Sequence, residues 1–334
     1  MSSTDSRILI TGAAGFIGSV LAGALNRKGY EQLFLVDDFS RADKNRNLED
    51  KRYLEKIDRN RIAAWLEANK VDVVFHLGAR TDTTEFDHEV FDRLNRQPSR
   101  LFWEWCTEHQ VPLIYASSAA TYGGGEHGYS DTLEPVSTLS PLNPYGLSKQ
   151  DFDIWALEQE QKGQAPPHWA GLKFFNVYGP NEYHKGRMAS VIFHAFNQIR
   201  EKGSMKLFRS HRQGIEDGHQ SRDFISVLDV AQCLTGLMDR FLKAGESPES
   251  GLYNLGTGQA RTFLDLTRAV FYALETEPVI EYIDTPQDLR ETYQYFTEAD
   301  MSKWLKTGVF SDFRSLEQGV EEYVRQYLLP DSVY

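Results

Sequence analysis

Tyr145 and Lys149 stand four residues apart in the stretch Asn143-Pro144-Tyr145-Gly146-Leu147-Ser148-Lys149. On a helix that spacing puts a phenol and an ammonium on one face, a turn apart. The neighbouring residues predict that a helix starts here. Asn143 is a favourable N-cap, Pro144 suits the first helical position, and the residues after Gly146 are good helix formers. A phenol in the first turn feels the positive end of the helix dipole, and the lysine adds a full charge. Both favour phenolate, so a group that titrates near pH ~10 is expected to move toward neutrality and act as a base. A Tyr-x-x-x-Lys pair also occurs on ordinary amphipathic helices, so its chemistry depends on what surrounds it.

The elements that would surround it can be read from the apolar runs. Residues 7–11 form an expected strand running into Gly12-Ala13-Ala14-Gly15-Phe16-Ile17-Gly18, with an amphipathic helix over 19–28. Gly12, Gly15 and Gly18 let the backbone turn tightly and approach a pyrophosphate, which would rest on the helix N-terminus. A second strand over 33–36 ends at Asp37-Asp38, where an acid usually bonds a ribose hydroxyl and suggests NAD. Arg41 and Lys44 lie close by and would suit the 2′-phosphate of NADP, so the local residues leave both cofactors open. A strand over 71–75 leads into His76-Leu77-Gly78-Ala79-Arg80-Thr81, a loop expected to border the cofactor crevice. His76 itself reads as a structural hydrogen-bonding residue.

A strand over 113–115 opens into Ala116-Ser117-Ser118-Ala119-Ala120-Thr121-Tyr122-Gly123. Ser118 can bond a substrate oxygen there and share a proton relay with Tyr145. A strand over 172–175 ends at Asn176-Val177-Tyr178-Gly179-Pro180, after which residues 181–222 break the strand-helix alternation. A short strand and helix within 226–238 and a strand over 252–255 then return to the first region. The expected fold is α/β: a Rossmann-type doubly wound parallel sheet with a smaller C-terminal substrate-binding α/β region. The expected boundaries are a discontinuous cofactor domain over 1–177 and 226–256 and a substrate region over 178–225 and 257–334.

The chain has 334 residues and a net charge of −12, with no basic block, which argues against binding nucleic acid through its phosphates. Cys106 and Cys233 are the only cysteines, each in an apolar run, and read as unpaired buried thiols. His211 and His219 lack ligand-like spacing, so no metal site is expected. The polar start and the lack of a long apolar run predict a cytoplasmic protein with no membrane partner.

The glycine turn, the Ser118 loop and the Tyr145/Lys149 pair together resemble the extended short-chain dehydrogenase/reductase superfamily, from Arg7 to about Gly258. Those enzymes act largely on nucleotide-activated sugars. The dehydratases among them typically carry Asp-Glu after the serine or threonine, where this chain has Ala119-Ala120, so dehydration is disfavoured. A non-catalytic dinucleotide sensor would be expected to lose the tyrosine or the lysine. A UDP-sugar 4-epimerase remains an alternative. A closer resemblance, to the ADP-L-glycero-D-manno-heptose 6-epimerase family of lipopolysaccharide core synthesis, rests on further stretches. These are 115–124, 175–180, His184-Lys185-Gly186-Arg187-Met188-Ala189-Ser190-Val191, Arg222-Asp223-Phe224 and Tyr293-Gln294.

The resemblance implies epimerisation at C6″ of an ADP-heptose by way of a ketone, with NADP as cofactor and a homo-oligomeric assembly. It makes Lys185, otherwise an ordinary loop lysine, a second acid-base group opposite Tyr145 and a cofactor neighbour, with Ser118 and Lys149 completing the catalytic set. Phe16, Ile17, Asp37, Asp38, Lys44, Leu77, Gly78, Ala79, Arg80, Thr81, Asn95, Lys149 and Val177 match cofactor contacts. Arg59 lies near a further family lysine. Asn176, Arg187, His194, Phe208, Arg222 and Tyr293 match substrate positions alongside Ser118. The chain departs from the pattern at Arg187, where some members have serine, and in the longer 210–221 segment.

Overall fold

A computed structural model describes residues 3–334 apart from 133–134, 244 and 291–292. Among the described residues, twelve strands occur in chain order: β1 Ile8–Thr11, β2 Leu33–Asp37, β3 Glu55–Asp58, β4 Val73–His76, β5 Leu113–Ser118, β6 Trp169–Phe174, β7 Asn176–Tyr178, β8 Met205–Phe208, β9 Ser221–Ser226, β10 Gly251–Leu255, β11 Ala260–Thr262 and β12 Ile280–Ile283. Seven of them form one parallel sheet in the order β3-β2-β1-β4-β5-β6-β10. The order reverses between β1 and β4, so a crevice opens beyond their carboxyl ends, where Rossmann-type folds hold dinucleotides. The fold is of that type, with a smaller α/β region toward the C-terminus.

β1, β2, β4, β6 and β10 are buried along their whole length, which is why they read as continuous apolar runs. β3 carries no such run. Only Ile57 of its four residues is buried, because β3 is the sheet edge, and no strand was expected there. The strand expected to start at Ser226 instead ends there. Residues 221–226 form β9, and a helix Val227–Leu242 follows, capped by the Ser226 side chain.

β9 lies between β7 and β11 in a separate three-stranded sheet, and β8 pairs with β12. The stretch expected to lack regular alternation also holds a helix, Val191–Lys202, capped by Ser190. Two apolar cores result, one around the large sheet and one under the smaller region. The helix Phe16–Arg27, which opens after the glycine turn, joins them: Leu21 and Leu25 enter the first core, Phe16 and Val20 the second. Burying Phe16 contributes on the order of 2 kcal/mol toward holding the two regions together. Cys106 and Cys233 are both buried and unpaired. Among the described residues no helix is long and apolar enough to cross a membrane.

Candidate active site

The glycine turn leaves β1 with Gly12 at φ +66°, and a Cβ there would stand 2.8 Å from the Gly78 backbone. A Cβ on Gly18 would stand 2.3 Å from the Gly12 carbonyl oxygen. The turn, the helix start and the 77–81 loop are thus packed backbone to backbone. Gly15 is the N-cap of the following helix and supplies no side-chain cap, and the first turn holds no acid. These free N–H groups and the unopposed dipole fit the pyrophosphate of a dinucleotide.

Asp37 is 6% exposed and faces the turn rather than open space. Its carboxylate accepts from the Ala14 amide at 2.9 Å, the Asp38 amide at 2.7 Å and Lys44 Nζ at 3.0 Å. Asp38, the next acid, accepts from the Ser40 hydroxyl and from Arg59. Arg41 pairs with Asp43 on the same side. Ile17 and Val177 are partly buried and pack against both cores, Leu77 to Arg80 are half-buried, and Thr81 is exposed.

Behind the loop, His76 has the structural place expected of it. Its Nδ1 meets the Thr11 hydroxyl at 2.9 Å, and that oxygen also accepts from the Gly78 amide. Its Nε2 meets Ser99 Oγ at 3.0 Å, and Ser99 donates onward to the Asn95 carbonyl. Ser99's donation assigns a ring proton to Nε2, and in a neutral imidazole Nδ1 then accepts from the Thr11 hydroxyl. Burial, with the charge of Lys149 adding to it, pulls His76 down to about 3. The folded pKa is depressed, so the unfolded chain binds the proton first, and stability falls as pH drops below about 6.5 toward 3. The loss attributable to His76 approaches on the order of 4–5 kcal/mol at the acid end. Urea unfolding across that range should be visibly less steep in pH for His76→Gln than for the parent; equal slopes would refute the assignment.

Asn95 is 2% exposed, and both ends of its amide are engaged. Oδ1 accepts from the Arg80 amide at 2.7 Å, while Nδ2 donates to the Arg80 carbonyl and to Ser148 Oγ. It lies in a π-turn, Asp92–Arg96, and ties the 77–81 loop to the helix of Tyr145 and Lys149.

That helix is Pro144–Gln161, and its start matches the sequence reading: Asn143 Oδ1 accepts from the Gly146 amide at 2.9 Å, and Pro144 opens the first turn. A Cβ on Gly146 would stand 2.7 Å from the Ala120 carbonyl oxygen, so the glycine permits the helix to close on the turn after β5. Ser118 ends β5 at 9% exposed beside the Tyr145 phenol, and its hydroxyl acts to lower the phenol's pKa. Lys149 is 5% exposed and donates to the Ala116 carbonyl at 2.8 Å. Burial brings Lys149 down to about 8, with Asp153 opposing.

The Tyr145 phenol does not follow expectation. Burial raises its pKa, the charge of Asp153 adds to that, and the neighbouring Ser118 hydroxyl only partly offsets it. Desolvation is the largest influence on the phenol, and Lys149 directs its nearest hydrogen bond to a backbone carbonyl.

Lys185 lies in a kinked turn, Tyr183–Met188, where Gly186 takes φ +54°. It is partly buried rather than the open loop lysine its context suggests, with Nζ 5.2 Å from the centre of the Phe16 ring at the head of the glycine-turn helix. Burial lowers its pKa while Glu182 opposes. Glu182 is fully buried and accepts from the Gly179 amide and from the Ser190 amide and hydroxyl. Asn47 ties this turn to the cofactor end, donating to the carbonyls of Ala14 at 3.1 Å and Asn181 at 3.0 Å. Arg187 is exposed, and its carbonyl meets His194 Nε2 at 3.3 Å.

Arg222, Phe208 and Tyr293 are brought together. The Arg222 guanidinium lies 5.7 Å from the Tyr293 ring centre, and Phe208 meets Tyr293 edge-on at 6.2 Å. Arg222 is 8% exposed, bonds the carbonyls of Ser221 and Gln294, and has no carboxylate partner among the described residues. A buried, unneutralised guanidinium suits a diphosphate. Gln294 donates to the Gly123 carbonyl, linking this cluster to the Ser118 loop. Asn176 is exposed at the start of β7. Sequence reasoning did not single out Asn47, Asn181, Glu182, Asp153 or Lys173. Only Asp153 had a readable signal, one helical turn past Lys149.

A family profile described as the NAD dependent epimerase/dehydratase family matches residues 8–256. The chain is 42% identical over 339 positions to an ADP-L-glycero-D-manno-heptose-6-epimerase of Fusobacterium nucleatum subsp. nucleatum, across 98% of this chain and 99% of that one. It is 46% identical over 325 positions to a protein of the same name from Nitratidesulfovibrio vulgaris, across 96% and 97%. The crystal structure of the Helicobacter pylori ADP-L-glycero-D-manno-heptose-6-epimerase superposes with a TM-score of 0.78 at 28% identity, covering 97% of this chain and 96% of that one.

Proposed function

Because the chain belongs to the NAD-dependent epimerase/dehydratase family, we propose that it inverts C6″ of ADP-D-glycero-D-manno-heptose, through a 6″-ketone, to supply L-glycero-heptose for lipopolysaccharide core. An NAD(P)-dependent epimerisation of a nucleotide sugar is the reaction class the family supports. The observation that carries the finer reading is the presence of two separate protonatable groups at the carboxyl edge of the sheet. They are Tyr145 beside Ser118 and Lys185 beside Phe16, each with its pKa moved by burial. Ala119 and Ala120 offer no acid to expel a hydroxyl, which favours epimerisation over dehydration.

A bound nicotinamide would supply the acceptor and donor of hydride. Ser118 would hold the C6″ oxygen, and Tyr145 would exchange its proton in one orientation of the sugar. Once the planar ketone has turned over, that oxygen lies on the other side, within the province of Lys185. Lys149 would hold positive charge behind Tyr145. Arg222 would clamp the diphosphate, with Phe208 and Tyr293 forming an apolar wall beside it, and Asn176, Arg187 and His194 would line the sugar side. Lys44, flanked by Arg41 and Arg59, supports NADP over NAD in this reading.

Offering ADP-D-glycero-D-manno-heptose and UDP-galactose side by side tests the proposal. The heptose should be converted to its 6-epimer with no net consumption of NADPH, and UDP-galactose should be left unchanged. Turnover of UDP-galactose alone would replace this reading with a 4-epimerase.

A further inference from the structure

Beneath the helix Pro144–Gln161 lies a polar cluster that none of the roles above uses. Tyr145, Lys149 and Asp153 form one stripe at helical spacing, and Asp153 is fully buried. Its Oδ1 accepts from the Tyr115 hydroxyl at 3.0 Å. Its Oδ2 accepts from the Ser117 hydroxyl at 2.7 Å and from Lys173 Nζ at 2.7 Å. Lys173 is 1% exposed and donates again, to Thr121 Oγ1 at 2.8 Å, while Thr121 donates to the Ser118 carbonyl at 2.9 Å. Its Nζ lies 5.3 Å from the Tyr122 ring centre.

The backbone is arranged to admit this cluster. Ser117 and Lys173 are register partners on β5 and β6, as are Tyr115 and Gly171. A Cβ on Gly171 would fall 2.4 Å from the Tyr115 hydroxyl oxygen, so the glycine makes room for the ring that reaches Asp153. Two of the bonded residues flank Ala116, whose carbonyl holds Lys149. One carboxylate therefore grips both sides of the Lys149 anchor, and through Lys173 and Thr121 it also grips the turn that carries Ser118.

We propose that Asp153 and Lys173 are positioning residues that set the distance of Tyr145 and Lys149 from Ser118, independent of any contact with substrate or cofactor. A buried ion pair is a weak source of net stability but is costly to break from one side, and here both carboxylate oxygens are held by donors from β5 and β6. Its effect lies in geometry: a displacement of about 1 Å at a reacting group can cost on the order of a hundredfold in rate. The pair also sets the local field. The Asp153 carboxylate raises the pKa of both Lys149 and Tyr145, so its loss lowers both.

The proposal rests on Tyr145 and Lys149 as the reacting centre, so Tyr145→Phe is measured alongside. Three variants remove the cluster by degrees: Ser117→Ala, Asp153→Asn, and the double variant Asp153→Asn with Lys173→Gln, which does not leave Lys173 as an unpaired charge should the single variant fail to fold. Each is assayed with ADP-D-glycero-D-manno-heptose, per folded enzyme. Its phenol titration is followed by carbon-13 NMR of protein labelled at tyrosine Cζ, with the Tyr145 signal assigned by its loss in Tyr145→Phe.

Expected are a kcat lowered roughly 10- to 100-fold with KM within about threefold, and a Tyr145 titration displaced to lower pH in Asp153→Asn. A merely structural pair would lower thermal stability while leaving kcat per folded molecule and the Tyr145 titration where they were, and that result overturns the proposal. Full turnover in Tyr145→Phe would instead overturn the reading of the site, and the titration would still report whether the pair governs the phenol.

Discussion

The double variant Tyr145→Phe with Lys185→Met is expected to lose epimerisation by at least on the order of 10⁴-fold while retaining its cofactor. Each substitution removes a group proposed to transfer a proton and keeps most of its apolar volume. The aromatic ring of residue 145 still packs near Phe91, and the methionine side chain still reaches toward Phe16. The glycine turn and its contact with Gly78 are untouched, so the dinucleotide site should survive. Inversion passes through both orientations of the sugar, so either single variant should also be strongly impaired. Cofactor content by absorbance and 6-epimer formation by NMR check the two halves. Turnover retained in the double variant would sink the two-base proposal.

Gly18→Ala should be nearly as damaging, for a purely steric reason. The new methyl would sit 2.3 Å from the Gly12 oxygen, 2.8 Å from the Gly12 carbonyl carbon and 3.0 Å from the Ala13 Cα, all of them backbone. Gly12 cannot retreat, because it already lies against Gly78 at a φ of +66°. The helix start must move away from the turn, and its N–H groups lose their aim. A destabilisation of about 1–3 kcal/mol is expected, as for other overpacked sites. Dinucleotide affinity should fall on the order of a hundredfold, measured by calorimetry; an unchanged affinity would show that the close approach is not needed.

Several of these features could be read without coordinates, and the reason is local. Buried parallel strands appear as unbroken apolar runs, so residues 33–36 and 252–255 were visible, and the structure extends each by a single residue. The helix start at Asn143-Pro144 was visible because capping is a matter of near neighbours. β3 was not, since an edge strand needs only one buried side chain, Ile57. β9 was displaced because Ser221 to Asp223 are charged or polar, and Arg222 and Asp223 are buried, Asp223 by partners distant in sequence, the 257–258 turn and Ala299.

The sequence by itself determined the order of elements, the glycine turn, and the pairing of Tyr145 with Lys149 on one helical face. Those depend on spacing, and spacing is written along the chain. Only the tertiary structure decided what these groups experience. Burial raises the Tyr145 phenol where the helix dipole and the lysine argued for lowering it, and it brings Lys149 down to about 8. The fold brings the ordinary-looking Lys185 beside Phe16, turns Asp37 onto the glycine turn, and sets Asp153 and Lys173 together beneath the helix. Desolvation and long-range pairing depend on which distant residues exclude water from a group, and no local pattern records that.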